Sequence, residues 1–182
     1  MPKTASLFVT HIYRAEIGGA GLKHNGEIAA ECASIAADDG AGQAWSDKNG
    51  YRGYTSYASL NDLTWRSPVF AALAGRIQSH VDGFAKELEL DLQGRALELD
   101  SFWINILEPG GSHAAHIHPH SVISGTYYVE VPKGASVIRF EDPRLPLMMA
   151  APPRKPSASA ANRTFATFDP RPGTLLLWES FL

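Results

Sequence analysis

The spacing of apolar residues changes near Gly94, and this change constrains the fold more than any other feature of the sequence. Before Gly94, apolar residues recur every three or four positions, which is typical of helices; after it they alternate, which is typical of strands. Helices followed by strands indicate an α+β fold. Because the segments between the predicted strands are too short for crossover helices, we expect a largely antiparallel sheet.

Two helices are predicted in the first half of the chain. Residues 27–37 place apolar side chains on one face and predict a helix of modest length. A second helix is predicted to begin at Ser67 and Pro68, an N-cap residue followed by proline at the first helical position. Its apolar stripe, which we expect to pack on the sheet, consists of Phe70, Leu73, Ile77, Val81, Phe84 and Leu88.

Alternating apolar residues predict several strands. The predicted strands are residues 7–13, 97–99, 102–107, 122–131, 135–140, 164–168 and 174–182. Residues 40–61 are rich in Gly, Ser, Asn and Tyr, so we expect irregular surface with turns there. Residues 150–161 are rich in Pro, Ala and Ser and predict an extended loop.

Length and composition narrow the class of protein. A chain of 182 residues with 45% hydrophobic content suits a single domain, residues 1–182. The formal net charge of −3, with scattered Lys and Arg, argues against nucleic acid as a partner, so we expect a small-molecule or peptidic substrate. Cys32 is the single cysteine, and no apolar run reaches membrane length, so we expect a cytoplasmic protein without a membrane partner. The oligomeric state is left open.

Four of the seven histidines lie within eight positions, at His113, His116, His118 and His120. A strand turns alternate residues to the same face, so His116 and His118 could hold one metal ion together. A lone histidine is more often a solvated or hydrogen-bonded residue than a ligand. The spacing of this pair therefore favours His116 and His118 as metal ligands, with His113 and His120 as the alternatives if the register shifts.

Several short segments, in order along most of the chain, are similar to those of one known family. They are residues 7–13, 49–56, 103–105, 110–120, 124–129, 140–144 and 172–177. In this order the chain resembles a bacterial and phage family of 2-oxoglutarate- and iron(II)-dependent oxygenases. The resemblance implies a double-stranded β-helix, a jelly-roll or cupin-like barrel of two facing sheets. We expect the N-terminal helices to pack on one of these sheets.

The resemblance also implies a site. Such enzymes hold Fe(II) with a His-x-Asp or His-x-Glu pair and a second histidine from a late strand, and the metal binds 2-oxoglutarate as cosubstrate. His116 matches the first ligand, whereas His118 stands where the carboxylate usually lies. Asn105 and Tyr128 match positions from which polar side chains often reach 2-oxoglutarate. The implied reaction converts 2-oxoglutarate to succinate and hydroxylates an unknown substrate, and no side chain is assigned as a catalytic nucleophile.

The family's distal histidine and its 2-oxoglutarate-binding arginine follow the strand that matches residues 173–182. We therefore expect both residues beyond Leu182, and a domain that lacks its C-terminal strands here. With two ligands in place, metal affinity should be weak, and we expect the 182-residue form by itself to produce no succinate.

Two other functions stay open. Gly110 followed by His-x-His resembles the start of the cupin pattern, which suits a metal enzyme that does not use 2-oxoglutarate. Cupins place a glutamate where this chain has Val122 and Ile123. The second alternative is a non-catalytic barrel that serves as a binding module, and the missing C-terminal ligands are its only support.

Four further residues near these segments are candidates for a structural role or for carboxylate binding. Trp103 and Phe140 are expected in the core. Arg139 and Arg144 could each bind a carboxylate through two hydrogen bonds. The sequence Asp142-Pro143-Arg144 instead favours a turn with its own salt bridge.

Overall fold

The computed structural model describes residues 3–17, 22–144 and 149–182. The strands are β1 (Ile12–Glu16), β2 (Gly53–Thr55), β3 (Asn105–Leu107), β4 (Ile123–Tyr127), β5 (Ile138–Glu141), β6 (Phe165–Phe168) and β7 (Thr174–Glu179). The helices are α1 (Leu22–Asp38), α2 (Gly40–Lys48), α3 (Leu63–Arg66) and α4 (Pro68–Glu87), and a short 3-10 helix covers Ala160–Asn162. The predicted α+β class is confirmed. Among the described residues, no helix has the length and apolar character needed to span a bilayer.

The strands form three sheets in which every pairing is antiparallel, as predicted. The largest has the order β1-β7-β4, and the other two pair β2 with β3 and β5 with β6. In the described part of the chain these sheets are not joined by hydrogen bonds into one barrel. The double-stranded β-helix therefore stays a prediction.

Strand β7 is buried on both faces at the centre of the three-stranded sheet. Leu175 and Leu177 share a cluster with Phe84 of α4 on one face. Leu176 and Trp178 pack with Phe140 of β5 on the other. The uninterrupted apolar run of β7 follows from this position, since each alternate set of side chains meets a different layer.

Helix α4 begins as the sequence predicts. Its N-cap residue, Ser67, has extended backbone angles (φ −141°, ψ 131°), and Pro68 occupies the first turn. Toward the other end of the helix, Phe84 lies 1% exposed against β7. This part of the apolar stripe packs on the sheet as expected.

The first half of the α4 stripe packs mainly on α1 and on residues in and beside the β2–β3 sheet. Phe70 and Leu73 share a cluster with Ile28 of α1 and with Tyr54 and Ile104, residues in and beside the β2–β3 sheet. The expectation that the whole stripe packs on one sheet is therefore wrong. A helix of twenty residues is long enough to cover both α1 and β7.

The expectation of irregular surface over residues 40–61 is also wrong, because this segment contains α2 and β2. The carboxylate of Asp39, the N-cap residue of α2, accepts a hydrogen bond from the backbone N of Gly42 at 3.0 Å. It also accepts one from the hydroxyl of Tyr54 at 2.8 Å. A local cap and a contact with β2 thus stabilise a helix despite two glycines in its first turn.

The N-terminal strand is shifted from its predicted place. Phe8 has φ of +56°, which is incompatible with an extended strand, and β1 starts only at Ile12. Residues 97–99 form no strand, and β3 is restricted to three residues because β2, its partner, is equally short.

Candidate metal site

The histidines lie in a loop without regular secondary structure, residues 110–120, which we call the histidine loop. The predicted strand at His116 and His118 is therefore wrong. At its start, Gly110 has φ of +81°, and a Cβ on Gly111 would lie 2.4 Å from the backbone oxygen of Arg52. The loop thus leaves β3 along a path that glycine alone allows.

His116 and His118 nevertheless face each other, as the spacing predicts for an extended backbone. Their Nε2 atoms are 3.0 Å apart and their ring centroids 4.8 Å apart. Ile117, between them, is 56% exposed. The two imidazoles thus lie together although the loop forms no strand.

The distance between the two nitrogens suits a shared metal ion. Imidazole nitrogens bind first-row metals at about 2.0–2.1 Å, so two nitrogens this close together could both reach one ion. His116 Nδ1 lies 2.7 Å from the carbonyl oxygen of Ala114. Since a carbonyl only accepts, the neutral ring has its proton on Nδ1 and a lone pair on Nε2.

The pair alone does not complete a metal site. Across residues 3–17, 22–144 and 149–182, no group of three or more His, Cys, Asp or Glu side chains is arranged to hold a metal ion. His116 and His118 fit as two ligands of such an ion, and the remaining positions would be filled from elsewhere.

Two buried hydroxyl groups, in and next to the three-stranded sheet, form a chain of hydrogen bonds that ends at His118. Its Nδ1 lies 2.6 Å from Ser124 Oγ, and Ser124 Oγ lies 2.7 Å from Ser180 Oγ. The backbone N of His118 also donates to the backbone oxygen of Ser180 at 3.2 Å. By contrast, the hydrogen bond from His116 Nδ1 stays within its own loop.

Burial lowers the pKa of His118, and the neighbouring His116 lowers it further. Both effects disfavour the charged imidazolium, the first because it removes water from the ring. The neutral ring is the form that binds metal, so the environment of His118 favours ligation.

His113 extends the row of imidazoles without joining the pair. Its ring centroid is 5.0 Å from that of His116, and its Nδ1 lies 3.1 Å from the hydroxyl of Tyr51. Desolvation lowers the pKa of His113 and raises the pKa of Tyr51 to about 12. His120 lies in a turn with φ of +75°. The structure therefore brings together the two favoured histidines.

Asn105 lies on β3 opposite Thr55. Its amide is best satisfied when the nitrogen donates to Thr55 Oγ1 at 2.7 Å and the oxygen accepts from Trp103 Nε1 at 3.2 Å. The indole ring of Trp103 in turn meets the His118 ring edge to face, with centroids 5.7 Å apart. Asn105 is thus linked to the histidine pair through Trp103, and its contact with 2-oxoglutarate stays a prediction.

The two aromatic residues expected in the core have different surroundings. Phe140 is buried at 8% exposure, as predicted. Trp103 is only half-buried and lies between Tyr57 and His118, so placing it in the core was wrong. The apolar alternation of this segment gave no sign that the indole meets a histidine.

Tyr128 follows β4 on the same alternating face as Ser124, and its ring packs beside Phe140 and Trp178. Burial raises the pKa of Tyr128, so the hydroxyl stays protonated and able to donate. Among the described residues its hydroxyl forms no side-chain hydrogen bond. A contact with 2-oxoglutarate stays a prediction for Tyr128 as well.

The two arginines considered as carboxylate ligands have partners of their own. Arg144 forms a salt bridge with Asp142, the turn that the sequence favours. The guanidinium of Arg139 lies 4.7 Å from the centroid of the Phe165 ring, a cation–π contact.

Two clefts of about 350 and 360 Å³ border α4, and neither contains the histidine loop. The first is lined by Glu16, Ile17, Arg76, Ser79 and His80, and the second by Asp82, Ala85, Lys86, Leu90, Leu92, Arg95 and Ala96. The candidate site is thus recognised by its chemistry and by its exposed histidines, because both clefts lie away from the histidine loop.

Three residues of the site were missed in the sequence: Ser124, Ser180 and Tyr51. A signal existed for Ser180, which directly follows the apolar strand β7, whereas Ser124 lies in β4 beside other small and polar residues. The position of Ser180 is unusual unless the hydroxyl has a buried partner. Tyr51 gave no comparable signal.

Comparison with known proteins adds one positive result. Residues 101–182, a little under half of the chain, match the family model described as putative 2OG-Fe(II) oxygenase. The segment includes the histidine loop, Asn105 and Tyr128, so the resemblance recognised in the sequence is confirmed there. No curated protein matches the chain.

Proposed function

We propose that the protein is a 2-oxoglutarate- and Fe(II)-dependent oxygenase that hydroxylates an as yet unidentified substrate. In this proposal His116 and His118 supply two nitrogen ligands to the iron. The observation that supports it best is the 3.0 Å approach of the two Nε2 atoms within the segment that matches the oxygenase family.

When bound, iron and 2-oxoglutarate supply the oxidative chemistry, in which 2-oxoglutarate becomes succinate as the substrate is hydroxylated. The residues of this chain have positioning roles. The hydrogen bonds at both Nδ1 atoms fix the orientation of the rings. Trp103 covers one edge of His118 and excludes water from it. The hydroxyl of Tyr128 and the amide of Asn105 would bind 2-oxoglutarate.

Metal binding tests the assignment of the ligands. Anaerobic calorimetric titration with Fe(II) should show one ion per chain, and His116→Ala or His118→Ala should abolish binding. His120→Ala, in the same loop, is the matched control and should bind as the parent chain does. Loss of binding in the control with retention in His116→Ala would show that the register is wrong.

The cosubstrate separates the oxygenase from its alternatives. If 2-oxoglutarate binds the same iron, it must tighten Fe(II) binding by the factor with which Fe(II) tightens its own binding. A metal enzyme of the cupin type would bind Fe(II) without this coupling, and a non-catalytic module would bind neither. Either result would exclude the proposed activity.

The reaction itself is tested on the full product of the gene. With Fe(II), 2-oxoglutarate and air, we expect slow formation of succinate even without substrate, and none with His116→Ala. Succinate at the parent rate in His116→Ala would contradict the proposal.

A further inference from the structure

We propose that Ser124 and Ser180 form a reversible hydrogen-bond relay that lets the His118 ring exchange one neutral tautomer for the other when metal binds. This inference rests on the proposed role of His118 as a ligand. It assigns positioning roles to two serines that the sequence did not single out.

The two hydroxyl groups are buried and close to each other. Ser124 is 6% exposed and Ser180 4% exposed, and their oxygens are 2.7 Å apart. Ser124 Oγ also lies 2.6 Å from His118 Nδ1. Ser124 lies on β4 and Ser180 directly follows β7, and their burial keeps most water away from both hydroxyls.

His118 is fixed to β7 through its backbone as well. Its backbone N donates to the Ser180 oxygen at 3.2 Å, and the Ser180 backbone N donates to the oxygen of Val122 at 3.1 Å. The end of β7 therefore holds both the backbone and the ring of His118. A fixed backbone leaves the ring few ways to satisfy Nδ1 other than Ser124.

Without metal, the hydrogen bond of His116 determines which nitrogen of each imidazole is protonated. Its Nδ1 donates to the carbonyl of Ala114, so its Nε2 presents a lone pair toward His118. Two opposed lone pairs at 3.0 Å repel, so the His118 proton belongs on Nε2, where it donates to His116. Nδ1 of His118 then accepts a hydrogen bond from the hydroxyl of Ser124.

With metal, the preference reverses. Both Nε2 atoms must present lone pairs to the ion, so His118 releases its Nε2 proton to water and takes one from water on Nδ1. The Nδ1–H group then donates a hydrogen bond to Ser124 Oγ. The hydroxyl of Ser124 then turns its own proton toward Ser180. A hydroxyl can donate or accept, so the two serines satisfy Nδ1 in both states, with no change in the net number of protons.

A carboxylate in place of Ser124 would only accept, and would hold His118 permanently in the metal-binding tautomer. The serine pair instead allows the two histidines to bond to each other when no metal is present. Ser124 and Ser180 therefore stay bonded to each other in both states: Ser180 donates to Ser124 without metal and accepts from it with metal.

The tautomer can be observed directly in the unmodified chain. Long-range ¹H–¹⁵N NMR of ¹⁵N-labelled protein distinguishes a protonated Nδ1 from a protonated Nε2. We expect His118 to have its proton on Nε2 without metal and on Nδ1 after addition of Zn(II). A proton on Nδ1 in both states would overturn the relay.

Zinc affinity tests the two serines separately. Ser124→Ala should weaken Zn(II) binding about 10- to 100-fold, the usual effect of losing a group that orients a ligand. Ser180→Ala should weaken it less, since Ser124 can still accept from His118, and Ser124→Thr, which keeps the hydroxyl, should restore most of the affinity. Ser67→Ala removes another buried serine, outside the histidine loop, and should bind as the parent chain does.

The results also distinguish failure of this inference from failure of the proposed function. Unchanged zinc affinity in Ser124→Ala, with binding lost in His118→Ala, would overturn the relay alone. Zinc binding retained in His118→Ala would overturn the ligand assignment and the relay with it.

Discussion

Two regions of the molecule are stabilised by different interactions. One is the three-stranded sheet with helix α4 packed on it, and the other is the histidine loop. Leu175, Leu177 and Phe84 are almost fully buried, and β7 has hydrogen-bonded partners on both sides. The histidine loop is mostly exposed, and it reaches the sheet through His118. Apolar burial stabilises the first region, whereas a few directed hydrogen bonds shape the second. Changes to the loop should therefore alter chemistry with little effect on folding.

The largest loss of stability is expected for Phe84→Ala. Phe84 is 1% exposed and packs on Leu175 and Leu177, so truncation removes buried apolar surface and leaves a cavity. The free energy of unfolding should fall by about 3–5 kcal/mol in urea denaturation. Trp65→Ala, at a site 85% exposed, should change it by no more than about 0.5 kcal/mol. Equal effects of the two substitutions would contradict the claim that apolar burial between α4 and β7 stabilises the fold.

The next largest loss of stability is expected for Gly125→Ala, where β4 approaches β7 closely. A Cβ at Gly125 would lie 2.5 Å from Leu177 Cδ2 and 2.8 Å from the backbone oxygen of Leu176. Gly125→Ala should therefore cost roughly 1–3 kcal/mol, because a strand must shift.

The matched glycine is Gly83 within α4, where an added Cβ meets no atom within 4 Å. Gly83→Ala should raise stability by about 0.4–1 kcal/mol, since alanine reduces the freedom of the unfolded chain. Thermal unfolding of both variants would show shifts of opposite sign. A stabilised Gly125→Ala would mean that the two strands are not in close contact.

The cap of α2 should contribute less. Asp39→Ala should lower the free energy of unfolding by about 0.5–2 kcal/mol. Burial raises the pKa of Asp39, but hydrogen bonds from Ser59, Gly42 and Tyr54 lower it more, so the net pKa lies below its ordinary value.

The sign of the pH dependence follows from this shift. The Asp39 carboxylate contributes stability above its unfolded pKa of about 3.9, and the contribution is lost as the pH falls through the lower folded pKa. In Asp39→Asn this part of the acid sensitivity, below about pH 4, should be absent. An identical acid profile in urea denaturation would show that the carboxylate is not stabilised in the folded state.

The sequence predicted what depends on local pattern. The start of α4 and the strand β7 follow from an N-cap and from a continuous apolar run. Helix α2 was missed because its glycines lower helix propensity, whereas the cap at Asp39 and the contact with Tyr54 offset that cost.

The same distinction applies to the site. The facing of His116 and His118 is what their spacing predicts, so the sequence contained it. The contacts of Ser180 with His118 and Ser124 join residues far apart in the chain, and the register of β7 sets them. No local pattern shows which buried serine meets which ring.

His116→Ala should have the smallest effect on folding and the largest effect on metal binding. His116 is exposed and both of its side-chain hydrogen bonds stay within the loop, so His116→Ala should alter the free energy of unfolding by no more than about 0.5 kcal/mol. The decisive measurement is anaerobic calorimetric titration of Fe(II) into the parent chain and into this variant. The account predicts one bound ion in the parent and none in a variant of unchanged stability; equal binding by both would contradict it.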